Sequence, residues 1–351
     1  AYKESNNLTL TFESVVLKSR TQGLAVQGLT SNSNVNIVNS KITSAEELGI
    51  YYPPKSGTLT ISDSEITGVT GIVVKGSNLV VKGEKTIISG TGPNVDPETY
   101  YTGATDGSST LTETGDALYI ESGYNDRDIS VSISGGHLNS KSAKAVRMFV
   151  KNGENTSAKR EISVTGGTFS SDVSAYVAEG YVQNENGTVE QLGETNAVAK
   201  IDDTYYKTLA DAVAAANDGK TVTLLKNVVL NSTLTLNKSM TLDLNGCKIS
   251  NGSTMGTDYL VSIAANADVS IVGNKENSKI SDSRSNAQGT ITAVVVYGKL
   301  TVAGDNLTIS RGANGIAIKV EDNPGTLIVN GGTITVDKPT KTSSQAIQNW
   351  G

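Results

Sequence analysis

The chain has 351 residues, too many for one ordinary compact core, so two domains or an elongated repeat are the options. Hydrophobic residues make up 37%, aromatics 5%, and glycine fills 36 positions, which suits a narrow repeated core better than a thick globular one. The net charge of -6 with no clustered Lys and Arg argues against a nucleic-acid partner, and no apolar run approaches the roughly 20 residues of a membrane span.

Along the chain one unit recurs: apolar, any, apolar, any, turn residue, with a further apolar residue seven positions after the first. It begins as Val35-Asn-Ile37-Val-Asn39 to Ile42 and Leu59-Thr-Ile61-Ser-Asp63 to Ile66. Next come Leu79-Val-Val81-Lys-Gly83, then Val131-Ser-Ile133-Ser-Gly135 to Leu138 and Ile162-Ser-Val164-Thr-Gly166 to Phe169. Further on stand Leu242-Asp-Leu244-Asn-Gly246 to Ile249 and Val269-Ser-Ile271-Val-Gly273, which like the unit at Leu79 matches the first five positions and slips afterwards. The last two are Leu300-Thr-Val302-Ala-Gly304 to Leu307 and Leu327-Ile-Val329-Asn-Gly331 to Ile334. The fifth position is Gly, Asn or Asp every time, the residues that tolerate left-handed backbone, so each unit predicts a strand, a sharp corner and a second strand.

A second unit alternates with the first: a small residue followed by a short apolar strand. Examples are Gly49-Ile50-Tyr51-Tyr52, Gly71-Ile72-Val73-Val74, Ala117-Leu118-Tyr119-Ile120, Ala145-Val146-Arg147-Met148 and Ala293-Val294-Val295-Val296. Ile50 and Ile72 are 22 residues apart, as are Val294 and Ile316. Short alternating strands with this period predict an all-β fold, a right-handed parallel β-helix (a solenoid).

Open coil ends need caps, and two capping segments lie side by side in mid-chain. In the first, Val173, Tyr176 and Val177 have helical spacing, Gly180 is a stop, and Asn186-Gly187 turns a hairpin. In the second, a hairpin turns over Asp202-Asp203, Thr208 and Asp211 form a capping-box pattern, and Gly219 ends the helix that follows. This places two tandem β-helix domains at 1–193 and 194–351, each with a small helix and hairpin cap. The chain begins Ala-Tyr-Lys and ends Asn349-Trp350-Gly351, so both ends read as cuts in a longer protein.

The rungs resemble the pectin-lyase-like right-handed parallel β-helix. The segments Gly166-Gly-Thr-Phe-Ser-Ser-Asp-Val-Ser-Ala-Tyr-Val177 and Tyr205-Tyr-Lys-Thr-Leu-Ala-Asp-Ala-Val-Ala-Ala-Ala216 are similar to closing and opening pieces of such domains in large cell-surface proteins of gut Gram-positive bacteria. The resemblance implies an extracellular, cell-surface location. The fold hosts polysaccharide lyases and hydrolases, and also adhesins and spacers, so chemistry has to be read from residues.

Those residues argue against an enzyme. Asp63 and Glu65 come from one rung, but the equivalent positions on the rungs above and below, Asn39, Lys41, Gly83 and Lys85, do not continue an acidic ligand set, and Asp63 reads as a corner residue. His137 is the one histidine, which leaves no multi-histidine metal site. Cys247 cannot form an internal disulfide and reads as a small core filler between the inward positions Leu244 and Ile249. No catalytic residue, metal site or cofactor is assigned.

The longest departure from the repeat runs from Gly90 to Asp128. Its acids (Asp96, Glu98, Asp106, Glu113, Asp116, Glu121, Asp126 and Asp128) are the candidates for the paired carboxylates of a glycoside hydrolase, but in a stretch rich in Gly, Ser and Thr most read as solvated loop charges. Its Tyr100, Tyr101, Tyr124 and Arg127 are the candidate ligand-binding residues, because Tyr and Arg anchor interfaces and sugar sites. The competing reading is that Tyr100 and Tyr101 pin the loop to the coil. The expected function is a non-catalytic adhesion or host-factor-binding module, acting as a monomer on a host glycan, a mucin or a host protein such as an immunoglobulin. A spacer stalk and a carbohydrate-active enzyme are the alternatives.

Overall fold

The computed structural model describes residues 8–26, 33–53, 57–103, 111–122, 128–150, 158–284, 291–312, 315–321, 325–337 and 344–349. The chain divides into two compact units, Ala1–Gln191 and Leu192–Gly351. Both are coils of parallel strands, so the fold is an all-β parallel β-helix. No helix among the described residues is long and apolar enough to cross a membrane.

Five coils of the first unit each contribute a strand to three faces, and the sixth, Arg160–Phe169, reaches the first two. First-face strands are Thr9–Glu13, Asn34–Val38, Thr58–Ser62, Asn78–Lys82 and the leading parts of Ile129–Ser140 and Arg160–Phe169. The second face holds Val16–Ser19, Lys41–Ser44, Glu65–Gly68, Ile87–Gly90 and the trailing parts of the two long strands. The third holds Gln22–Ala25, Leu48–Tyr52, Thr70–Lys75, Leu118–Ser122 and Val146–Val150. Strand period two sends alternate side chains inward, and the in-register pairing stacks them into ladders. One runs Ile37, Ile61, Val81, Ile133, Val164; another runs Ile42, Ile66, Ile88, Leu138, Phe169. These side chains are sealed in the core, and each contributes about 1.5–3 kcal/mol of apolar burial.

The corner column behaves as the sequence predicts at Asn39, Asp63, Gly83, Gly246, Gly304 and Gly331, all with positive φ. It differs at three places. At Gly135-Gly136 and Gly166-Gly167 the left-handed residue is the second glycine, with φ of 91° and 103°. There the strand runs on around the corner, and the ladder absorbs the bend as register shifts after Ile133 and Ser134. At Gly273 the glycine serves close packing: a Cβ there would lie 2.7 Å from the Cβ of Leu307. The left-handed residue of that corner is Asn277, at 69°.

The first unit closes on a single 3-10 turn, Ser174–Tyr176, and a hairpin pairing Tyr181–Gln183 with Thr188–Gln191. Gly187, at φ 83°, makes the hairpin turn. The hairpin adds antiparallel to Arg160–Phe169 at Gly167 and Thr168, and Val177 bridges Val164.

The second unit opens on a hairpin of Ala199–Ile201 and Thr204–Tyr206, turned by Asp202 at φ 50°. Helix Leu209–Ala215 follows. Thr208 Oγ1 caps it by accepting from the Asp211 N–H at 3.0 Å, and Leu209, Ala212 and Val213 are its buried stripe. The helix ends at Ala216, before Gly219, because Ala216 is already extended. Five coils stack behind it, with first-face strands Thr221–Leu224, Met240–Asp243, Asp268–Val272, Lys299–Ala303 and Thr326–Asn330.

Candidate functional site

In the third coil the chain passes from Glu65–Gly68 to Thr70–Lys75 with one residue between. In the fourth it leaves after Ile87–Gly90 and travels through residues 91–117 before Leu118–Ser122 resumes the third face. Departure and return touch: a Cβ on Gly90 would meet the Asp116 backbone at 2.4 Å, so only glycine admits the crossing. Within the excursion lies a short helix, Pro97–Gly103. Asp96 fixes its start by accepting from the Glu98 N–H and the Thr99 hydroxyl, both at 3.3 Å.

Two buried latches hold this insertion against the outer side of the third face. The first centres on Arg147. Its guanidinium lies 2.8 Å from Asp116 Oδ2, donates to Asp116 Oδ1 at 3.0 Å and donates to Asn94 Oδ1 at 2.6 Å. It also donates to the Val95 carbonyl at 3.4 Å, so it grips both ends of the excursion. Asp116 is fully buried and accepts from the Lys144 N–H at 2.9 Å. Burial pushes its carboxyl above the usual range, against the pull of its hydrogen bonds and of Arg147.

The second latch is a closed cycle around Leu111. Lys75 Nζ donates to the Leu111 carbonyl at 3.2 Å, and the Leu111 N–H donates to the Tyr101 hydroxyl at 2.9 Å. Tyr101 donates to Glu121 Oε2 at 2.8 Å, and Lys75 closes the ring on Glu121 Oε1 at 3.1 Å. Tyr119 adds a second hydroxyl to Glu121 Oε2 at 2.7 Å. Side chains thus hold both main-chain groups of Leu111, as a neighbouring strand would. Beside the cycle, Leu48, Val73 and Tyr119 form a small buried apolar cluster packed by Tyr51 and Phe149. Burial pushes the Tyr101 hydroxyl far above the usual tyrosine value, with the Glu121 charge adding to the rise. Burial raises Tyr51 as well, again with Glu121 behind it.

Tyr100 and Tyr101 therefore have different positions. Tyr101 stacks on Phe149, ring centroids 5.5 Å apart, and its hydroxyl is inside the latch. Tyr100 packs edge-on against Tyr101 at 5.2 Å and remains 37% exposed. Tyr124 and Arg127 lie outside the described residues, as do Asp106 and Asp126. Asp116 and Glu121, read from sequence as solvated loop charges, are fully buried and ion-paired. The signal that places Glu121 was in the repeat: Ala117-Leu118-Tyr119-Ile120 aligns with Gly71-Ile72-Val73-Val74, and one more step sets Glu121 beside Lys75.

Elsewhere, Asp63 is an exposed corner with φ 47°, and Glu65 pairs with Lys41 at 2.7 Å. His137 is exposed. Cys247 is half-buried against the second core, and burial pushes its thiol up. In the second unit, the fully buried Arg311 donates to the Asp282 carbonyl at 2.9 Å. Arg284 donates to the Asp282 carboxylate at 3.0 Å and to the Thr257 carbonyl at 2.5 Å. Their donors are directed at protein oxygens, which makes the cluster a corner clamp. Among the described residues, no three of His, Cys, Asp and Glu gather closely enough to hold a metal ion.

Comparisons with protein-family models, with curated proteins and with solved structures found no match.

Proposed function

We propose that the chain is a non-catalytic binding module of a secreted bacterial surface protein, with the insertion of the first unit as part of its contact surface. The observation that carries this reading is the pair of buried latches. A long loop fixed to a stacked β frame holds its geometry at low entropic cost, which is what a recognition surface needs. Tyr100 stands at the exposed side of that loop, on a ring that is itself stacked. The resemblance of the rungs to pectin-lyase-like domains of gut Gram-positive surface proteins supports a cell-surface setting. Host glycans, mucins or host proteins are the candidate ligands. The buried carboxylates Asp116 and Glu121 are engaged by Arg147 and Lys75, which suits support of a loop better than acid-base chemistry.

The test keeps the latches and alters the exposed side. Tyr100→Ala and Glu98→Ala, alone and together, are compared with the native chain for retention on host cells and mucus. Loss of retention with unchanged melting supports the reading. Full retention by the double variant removes the insertion from the contact surface.

A further inference from the structure

The two units differ in which coil end they seal. The first seals its last coil with the 3-10 turn and hairpin, and Val164 and Phe169 of that coil are buried. The second seals its first coil with the hairpin and helix, and Val222 and Leu224 are buried behind them. At the other end of each unit, inward-facing apolar side chains meet solvent.

The first coil of the first unit is Thr9–Glu13, Val16–Ser19 and Gln22–Ala25. Leu10 is 38% exposed there, whereas Val35, its partner one coil on, is sealed. Phe12, Leu17 and Leu24 are half-buried, and their partners Ile37, Ile42 and Ile50 are sealed. The last coil of the second unit is Thr326–Asn330, Thr333–Val336 and Gln345–Asn349. Val329 and Ile347 are each 45% exposed, over Val302 and Ile318 at 0%. Leu327 and Ile334 are half-buried over the sealed Leu300 and Ile309. Among the described residues, all six strands stand at the ends of their sheets.

These two coils match. Each gives one strand to each of three faces, of five, four and four residues in one and five, four and five in the other. Each carries two apolar inward residues on the first face, Leu10 and Phe12 or Leu327 and Val329, and a third seven positions after the first, Leu17 or Ile334. Each turns between these faces in left-handed backbone, at Ser14 with φ 56° or at Gly331 and Gly332 with 145° and 87°. One coil presents the leading edge of a parallel stack and the other the trailing edge. Two like ends set face to face would run their strands antiparallel and reverse the order of the faces, so only unlike ends continue all three.

We propose that a second copy of this chain covers these ends: the last coil of the second unit in one molecule takes the first coil of the first unit in another as its next turn. The ladder Leu300, Leu327 then runs on through Leu10 and Val35 of the neighbour, with Phe12 following Val329 and Leu17 following Ile334. Burial of these side chains drives the association, and parallel pairing fixes its register. The contact is heterologous, so each added copy brings a fresh end. The monomer expected from the sequence is the dilute limit of this equilibrium.

Sedimentation velocity of the whole chain, from micromolar to submillimolar concentration, tests it with two variants. Leu10→Lys charges the leading end and Val329→Lys the trailing end, both at positions already partly exposed. Leu10→Asn and Val329→Asn serve if a lysine variant melts early. The native chain should grow in mass with concentration, and each variant alone should stay monomeric. An equimolar mixture of the two variants retains one sound end of each kind, so it should reach twice the chain mass and stop there. A native chain that is monomeric throughout overturns the proposal. Growth that neither variant stops places the contact elsewhere and overturns it too. Variants that block growth singly but do not pair when mixed overturn the head-to-tail arrangement.

Discussion

Lys75 and Glu121 face each other on adjacent third-face strands, Nζ 3.1 Å from Oε1, with side chains 1% and 0% exposed. A buried pair of this kind offsets a large desolvation cost with its mutual attraction and its added hydrogen bonds, so removing one partner costs more than removing both. Lys75→Met or Glu121→Leu alone should destabilise the first unit by about 3–5 kcal/mol. The double variant should recover much of that loss. Denaturant unfolding of the three variants checks it. Equal losses in the single and double variants would mean that the ion pair is not the fastening element.

The corners carry a second prediction. Gly246 and Gly304 have φ of 85° and 97°, where a β-branched side chain is strained. A Cβ would meet the Gly273 carbonyl oxygen at 2.7 Å in the case of Gly304, against 3.1 Å to the Glu276 carbonyl oxygen for Gly246. Gly→Val at either position should destabilise the second unit by about 1–3 kcal/mol, with Gly304 the worse. Asp63→Gly should be close to neutral, because that corner already holds a left-handed residue, at 47°. Thermal melts rank the variants, and a native-like melt for Gly304→Val contradicts the steric argument.

How far the fold could be read in advance depends on what each residue type encodes. The ladders were legible because a buried strand needs apolar residues two apart, and left-handed corners admit few residue types. The seven-residue step fails where a corner lengthens. From Leu300 it lands on Leu307, yet Ile309 stacks on Ile280, because Gly304–Leu307 forms its own turn. The insertion was visible as a break in the repeat, but its attachment was not. Tyr101, Lys75 and Leu111 meet only through folding, and polarity alone gives a buried acid and a solvated one the same appearance. Asp116 and Arg147 show the point: each looks like a surface residue until the chain brings them to 2.8 Å.

Cys247 gives a chemical readout of burial. Burial raises its pKa most, Asp243 adds to the rise and Lys275 opposes it, so little thiolate is present near neutral pH. Its half-buried side chain also packs against the second core. Alkylation of the native chain at neutral pH should therefore be slow, and labelling should be fast and complete once the chain is unfolded. Rapid native labelling would contradict the packing against that core.

Tyr101 links the loop to alkaline pH. Burial raises its folded-state pKa well above the ordinary tyrosine value of about 10, and the neighbouring Glu121 carboxylate adds to the rise. Below about pH 10 the hydroxyl is protonated in folded and unfolded chains alike, and its contribution to stability is constant. Above that, the unfolded chain releases the proton and the folded chain keeps it, so stability falls as pH rises. Tyr101→Phe removes this ionisation along with the hydrogen bonds to Leu111 and Glu121. The variant should be less stable than the native chain at pH 8, and the gap should narrow as pH climbs past the unfolded tyrosine value. Unfolding free energies of both proteins across the alkaline range test it, with the absorbance of tyrosinate followed in parallel. A constant gap across that range would mean that Tyr101 titrates as a free tyrosine and that its hydroxyl is not held in the latch.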